Sequence, residues 1–161
     1  MEQKVFLIFI GLFGLILLLV LLGGSTKRYD GPLDPAPAGF EGDVAKLTNS
    51  TRASRGLNQL QYDESLSKVA RDHSEDMIRR NFFSHTNPSG ESPAQRARRA
   101  NYPYQYIGEN IAQGYPQPQT VFDGWMNSSG HRANILRNGY QRIGVGVARG
   151  NGTIMWTQMF S

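Results

Sequence analysis

The chain has 161 residues, 17 Lys and Arg against 13 Asp and Glu for a formal net charge of +4, and 39% hydrophobic residues. That length holds one domain plus an appendage and excludes a large multidomain enzyme. No cysteine occurs anywhere, which excludes disulfides, thiolate metal sites, a catalytic thiol and a lipidated Cys, so any metal ligands must be His and carboxylate.

Residues 5–22 are an unbroken run of Val, Phe, Leu, Ile and Gly without a charge. As a helix, this run with Gly23 and Gly24 spans about 27 to 30 Å, the thickness of a hydrocarbon core. Residues 1–24 therefore read as one transmembrane signal-anchor. A cleaved signal peptide is the alternative, because Gly23, Gly24 and Ser25 would suit a peptidase, although a cleavable apolar core is usually shorter. A buried helix of a soluble domain is disfavoured, since the run offers no polar face. Residues 25–39 hold three prolines and two glycines, the composition of an irregular, semi-extended spacer that would keep a domain off the membrane.

A folded domain is expected over residues 40–161. Val44, Leu47 and Thr51 recur at helical spacing, predicting a first helix that ends near Gly56. Asp63 is a good amino-terminal cap for a second helix to about Asn81, with Leu66, Val69, Ala70, His73, Met77 and Ile78 on its apolar face. After the turn Asn87-Pro88-Ser89-Gly90, Ser92 caps and Pro93 opens a third helix carrying Arg96, Arg98 and Arg99. Pro116 and Pro118 bracket the entry to a helix with Val121, Phe122, Trp125 and Met126, and a short helical piece covers Arg132 to Leu136. Alternating Ile143, Val145 and Val147, the turn Gly150-Asn151-Gly152 and the extended run from Thr153 predict a carboxy-terminal hairpin, with a further strand near residues 107–112. Helices first and an antiparallel pair last imply an α+β fold.

Five segments carry a resemblance when taken in order. They are Phe82-Phe83-Ser84-His85, Gly108-Glu109-Asn110-Ile111-Ala112, the stretch from Trp125 through Gly130-His131-Arg132-Ala133-Asn134 to Leu136, Ile143-Gly144-Val145-Gly146, and Trp156-Thr157-Gln158-Met159-Phe160. Over residues 43–160 the chain resembles the CAP superfamily, also called SCP-like or pathogenesis-related-1-like, in its prokaryotic extracellular branch. The resemblance implies an α-β-α sandwich, an exported location and a cleft that in eukaryotic members is lined by two His and two acidic residues. His85 and Glu109 fall on the first His and first Glu of that set. The second acidic position is Ser128 and the last His is Met155, so half the tetrad is absent. His131 is typical of the prokaryotic branch and would reach the same cleft, with Asn110, Ser128 and Met155 beside it. The implied export also settles the orientation of the anchor, against the mild charge bias of Lys4 before and Lys27 and Arg28 after it.

Two imidazoles and one carboxylate would suit Zn2+ or another divalent ion with an open position for water or substrate. Against this, 24 residues separate His85 from Glu109 and 22 separate Glu109 from His131, which is not the short helical spacing of a strong metal motif. Each of the three could equally be a hydrogen-bonded loop or helix-entry residue. His73 reads as a half-buried helix residue, and Ser84 lacks the Gly-x-Ser-x-Gly turn of a nucleophile. Beyond Ser92, seven arginines face only Glu109 and Asp123, suggesting either a basic face for acidic envelope polymers and lipid headgroups or an ordinary solvated surface. No nucleic-acid motif is present. The sequence therefore points to a membrane-tethered, outward-facing binding module, not an enzyme, whose cleft holds a divalent metal, a lipid, a glycan or another cell-envelope ligand. A metal-dependent hydrolase using His85, Glu109 and His131 is the alternative.

Overall fold

A computed structural model describes residues 27–161 of the chain, so the apolar run at residues 5–22 lies outside the described residues. Among the described residues, no helix is long and apolar enough to cross a membrane. The elements are α1 (Phe40–Ala53), β1 (Gln61–Tyr62), α2 (Glu64–Arg79), α3 (Pro93–Arg99), β2 (Gly108–Gln113), α4 (Pro118–Asn127), α5 (Ser129–Ile135), β3 (Arg142–Gly150) and β4 (Thr153–Phe160). The caps fix their starts. Asp63 accepts from the Leu66 amide at 3.1 Å, and Ser92 and Gln95 form a reciprocal capping box around Pro93.

The strands form one sheet in the order β1-β3-β4-β2. β3 and β4 are the expected hairpin, closed by Asn151 and Gly152 at φ 51° and 70°, and β2 runs antiparallel along the other side of β4. β1 is parallel to β3 and pairs only Gln61 with Arg142 and Tyr62 with Ile143. Two residues carry no period to read, so this strand was not expected.

Alternation along the strands splits the core into two faces. Ile143, Val145, Val147, Trp156 and Phe160 pack with Val44 of α1, Val121, Phe122 and Trp125 of α4 and Ile135 of α5. On the opposite face Met159 meets Leu66, Val69 and Ala70 of α2, and Ala148 and Met155 meet Met77 and Ile78. The result is a mixed α/β fold with helices on both sides of the sheet. The close approach of α2 depends on Gly144 and Gly146 of β3, where any side chain would collide with the α2 backbone at Leu66, Ser67, Ala70 and Arg71.

The segment before α1 is irregular, as its prolines and glycines imply, but it is not free-standing where it is described. The Tyr29 amide donates to Arg79 O at 2.8 Å, and the Asp34 amide donates to Arg149 O at 2.9 Å. Tyr29 and Leu33 pack against Met77, Ile78 and Met155. From Tyr29 onward this irregular stretch lies as a strap on the domain.

Gly146→Ala should destabilise the fold by about 3 kcal/mol, because backbone on the facing helix cannot yield as a side chain can. Gly130→Ala meets open space within helix α5 and should be neutral or stabilising by up to about 1 kcal/mol. Urea unfolding of the two variants checks both.

Candidate functional site

Among the described residues β2 is the last strand of the sheet, with no strand along its outer edge, and a cleft of about 510 Å³ lies beside it. One wall is the extended segment after α2, with Phe83, Ser84 and His85. The floor is Ile111, Ala112 and Gln113 of β2, and the other wall is Gly124, Trp125, Ser128 and His131 of α4 and α5, with Tyr115 at one end. Trp125 is held by donating Nε1–H to Ile111 O at 3.2 Å. Gly124 has no side chain where one would strike the Tyr115 ring, so the tyrosine lies directly on α4. The lining is mainly apolar, with the two imidazoles as its most basic groups.

Beneath His85 is a buried ion pair. Arg96 Nη2 donates to Glu109 Oε2 at 2.5 Å, with side-chain exposures of 3% and 2%. The same guanidinium donates through Nη1 to His85 O at 2.7 Å and to Glu91 O at 3.0 Å. His85 Nδ1–H donates to Glu109 Oε1 at 2.8 Å, which turns Nε2 away from the carboxylate, and half of the side chain is exposed. Nearby, His73 is fully buried and donates Nε2–H to Ser84 O at 3.1 Å, fixing the segment that presents His85. Sequence reasoning assigned Arg96 only to a basic helix and His73 only to helix packing. The partners that reveal their roles, Glu109 for Arg96 and the Ser84 carbonyl for His73, are thirteen and eleven residues away.

The residues named from the sequence separate into two groups. His85, His131 and Ser128 line the cleft. Glu109 lies under it, spent on Arg96 and His85. Asn110 is fully buried behind the wall, donating Nδ2–H to His131 O and Gln158 Oε1 and accepting from Asn134 Nδ2, so it ties β2 to α5 instead of facing a ligand. Met155 is corrected from a cleft residue to a core one. The strand alternation turns it to the α2 face, against Met77 and Ile78.

Both oxygens of Glu109 are engaged, and among the described residues no group of three or more His, Asp and Glu side chains is placed to hold a metal ion. The residues present do not fit a His85, Glu109, His131 zinc centre. Nor do the arginines after Ser92 make one continuous basic face. Arg96 is buried, Arg99 pairs with Glu91 at 2.8 Å, Arg142 pairs with Asp63 at 2.7 Å, and Arg137 lies over the Tyr106 and Tyr140 rings.

Sequence and structure comparisons agree with this architecture. The profile of the cysteine-rich secretory protein family, CAP, matches residues 45–160, and the chain belongs to that family, although it has no cysteine itself. It is 46% identical over 121 residues to the protein YkwD of Bacillus subtilis (strain 168), covering 75% of this chain and 46% of that one. It is 39% identical over 109 residues to the membrane protein YlbC of the same organism, covering 68% of this chain and 32% of the relative. A crystal structure of an extracellular SCP-domain protein from Bacillus anthracis str. Ames superposes with a TM-score of 0.73 at 34% identity, covering 81% of this chain and 44% of that one. The chain thus spans less than half the length of these relatives.

Burial pushes the His73 imidazole down to about 4, with the Arg96 and His85 charges adding to the fall and Glu109 opposing it. Burial, and then His85, also lower His131. For His73 the unfolded chain binds the proton more tightly, so the contribution to stability is intact above about pH 6.5 and is lost as pH falls toward 4. This loss is on the order of 3 kcal/mol, and melting curves between pH 7 and pH 4 should show a steeper decline than His73→Gln does. Arg96→Ala, which strands a buried carboxylate, should cost about 3–5 kcal/mol, whereas Arg96→Met combined with Glu109→Leu should recover most of it. Chemical denaturation of the three proteins checks this.

Proposed function

We propose that this chain is a membrane-tethered, outward-facing CAP binding module whose cleft takes the apolar part of a lipid-like cell-envelope amphiphile. The imidazoles of His85 and His131 hydrogen-bond its polar end. The observation that supports this reading most is the combination of an apolar, aromatic cleft with a carboxylate already engaged by Arg96 and His85. A mainly apolar cleft with two hydrogen-bonding imidazoles suits an amphiphile better than a hard cation, and its volume is within the range of small-molecule sites. Its resemblance to an extracellular protein and to a membrane protein supports an exported location. Residues 1–24 would supply the single anchor.

One observation favours a second reading, a hydrolase acting on extracellular or envelope substrates. The 2.8 Å His85 to Glu109 bond orients the imidazole as a general base would need. Turnover of peptides or wall polymers that vanishes in His85→Ala would mark that chemistry, and its loss in chelator would make it metal-dependent.

The test is a comparison of probes on the full chain in detergent. Lysophosphatidylcholine should raise the melting temperature by several degrees and saturate at micromolar concentration. Gly124→Ala, which drives Tyr115 off the cleft wall, should weaken this binding at least about tenfold, and Zn2+ followed by chelator should leave the melting temperature unchanged. A zinc-dependent rise with no lipid effect would overturn the reading.

A further inference from the structure

The strap bears directly on where the cleft faces. The apolar run and its two glycines end at Gly24, and the chain is already hydrogen-bonded to the domain at Tyr29. The intervening chain reaches at most about 18 Å when fully extended. A spacer of fifteen freely moving residues would have let the domain tumble well clear of the surface, whereas this one does not.

The strap docks at one end of the sheet. Asp34 bridges to Arg149, the penultimate residue of β3, and Leu33 and Tyr29 lie where any side chain on Gly150 would meet them. The opposite end of the sheet, with Gln105, Gln141, Arg142 and Ser161 around one shallow depression, is separated from it by the nine residues of β3, about 30 Å. The docked end also carries more positive than negative groups. Lys27, Arg28 and Arg149 are exposed and Arg79 is half-buried, against exposed Asp30 and Asp34, of which Asp30 pairs with Arg28 at 3.0 Å.

The cleft follows the same axis. In β2, Glu109 is opposite Met159 and Gln113 is opposite Met155, and the Gly114 amide donates to Ile154 O at 2.9 Å. The end of the cleft at Tyr115 is therefore level with the β3–β4 turn, and the end at His85, over Glu109, is farther along the strands.

We propose that the strap moors the domain with its β3–β4 turn end against the bilayer, so that the aromatic end of the cleft is nearest the lipid headgroups and the imidazoles lie farther out. The partner surface is an anionic bilayer, drawn to the basic residues of the docked end through a short, salt-sensitive range. The mooring rests on residues 1–24 being a retained anchor, and it makes the membrane the source from which the cleft would draw an amphiphile.

The absence of native cysteine makes single-site labelling unambiguous. The full chain is reconstituted into vesicles containing phosphatidylglycerol and recovered by flotation. Pro116→Cys, beside the strap end, and Gln105→Cys, at the far end, each carry a donor fluorophore, and a short-range acceptor sits on the lipid headgroups. Transfer from position 116 should exceed transfer from position 105 at least threefold, and Tyr29→Ala combined with Leu33→Asp should erase most of the difference. Equal transfer, or more from position 105, in protein that floats would overturn the mooring while leaving the anchor in place. Protein that fails to float would overturn the anchor, and the mooring with it.

Discussion

A single guanidinium organises the site. Arg96 reaches from α3 to the Glu109 carboxylate on β2, and its other nitrogen closes on the carbonyls of His85 and Glu91. Two ions taken out of water are costly unless paired and hydrogen-bonded, and here, with only Arg96 Nε left without a partner, the cost is offset by contacts that also join α3, the segment after α2 and the edge strand. The position of His85 follows from that pair, because its ring proton goes to the oxygen that Arg96 leaves available. The cleft edge is thus set by electrostatics in a dry interior, and the carboxylate that gives the arrangement its geometry is no longer free to serve a ligand.

The scaffold behind it has a different physical basis. The α2 helix lies close enough to β3 that glycine is required at Gly144 and Gly146, and Ser74 completes the contact by donating to Gly146 O at 3.1 Å and bonding Thr157 Oγ1 at 2.8 Å. On the other face large side chains fill the space, with Trp156 stacked on Phe40 and Phe160 on Tyr140. A tight face and a bulky face on one sheet hold the end of α2, and so the segment with Phe83 and His85, at a fixed height over the edge strand. The strap then adds a direction to this frame, since it leaves the domain at the end where the aromatic part of the cleft opens.

Much of the fold was legible along the chain. Caps such as Asp63 and Ser92, the apolar spacing in α2 and the alternation in β3 are local signals, set by hydrogen-bond needs at helix ends and by the two-residue strand period. What stayed hidden was either too short to show a period, as with β1, or dependent on contacts between distant segments. Arg96 and Glu109 are thirteen residues apart, and His73 and Ser84 eleven. Neither pair forms a spacing that a helix or strand would reveal. Met155 shows the opposite failure. A position matched by resemblance was expected in the cleft, but its strand parity buries it among Met77 and Ile78.

The sequence by itself determined the family, the order of the helices and the closing hairpin, and the composition that separates an apolar amino-terminal run from a domain. These are properties of neighbouring residues and of motifs in fixed order. Only the tertiary structure decided that Glu109 is neutralised by Arg96, that Asn110 and Met155 are turned away from the cleft, and that residues from Tyr29 onward lie on the domain. The physical reason is common to all of them. Whether a polar group is available to a ligand depends on which partners reach it in three dimensions, and burial gives each such partner far more weight than sequence distance does.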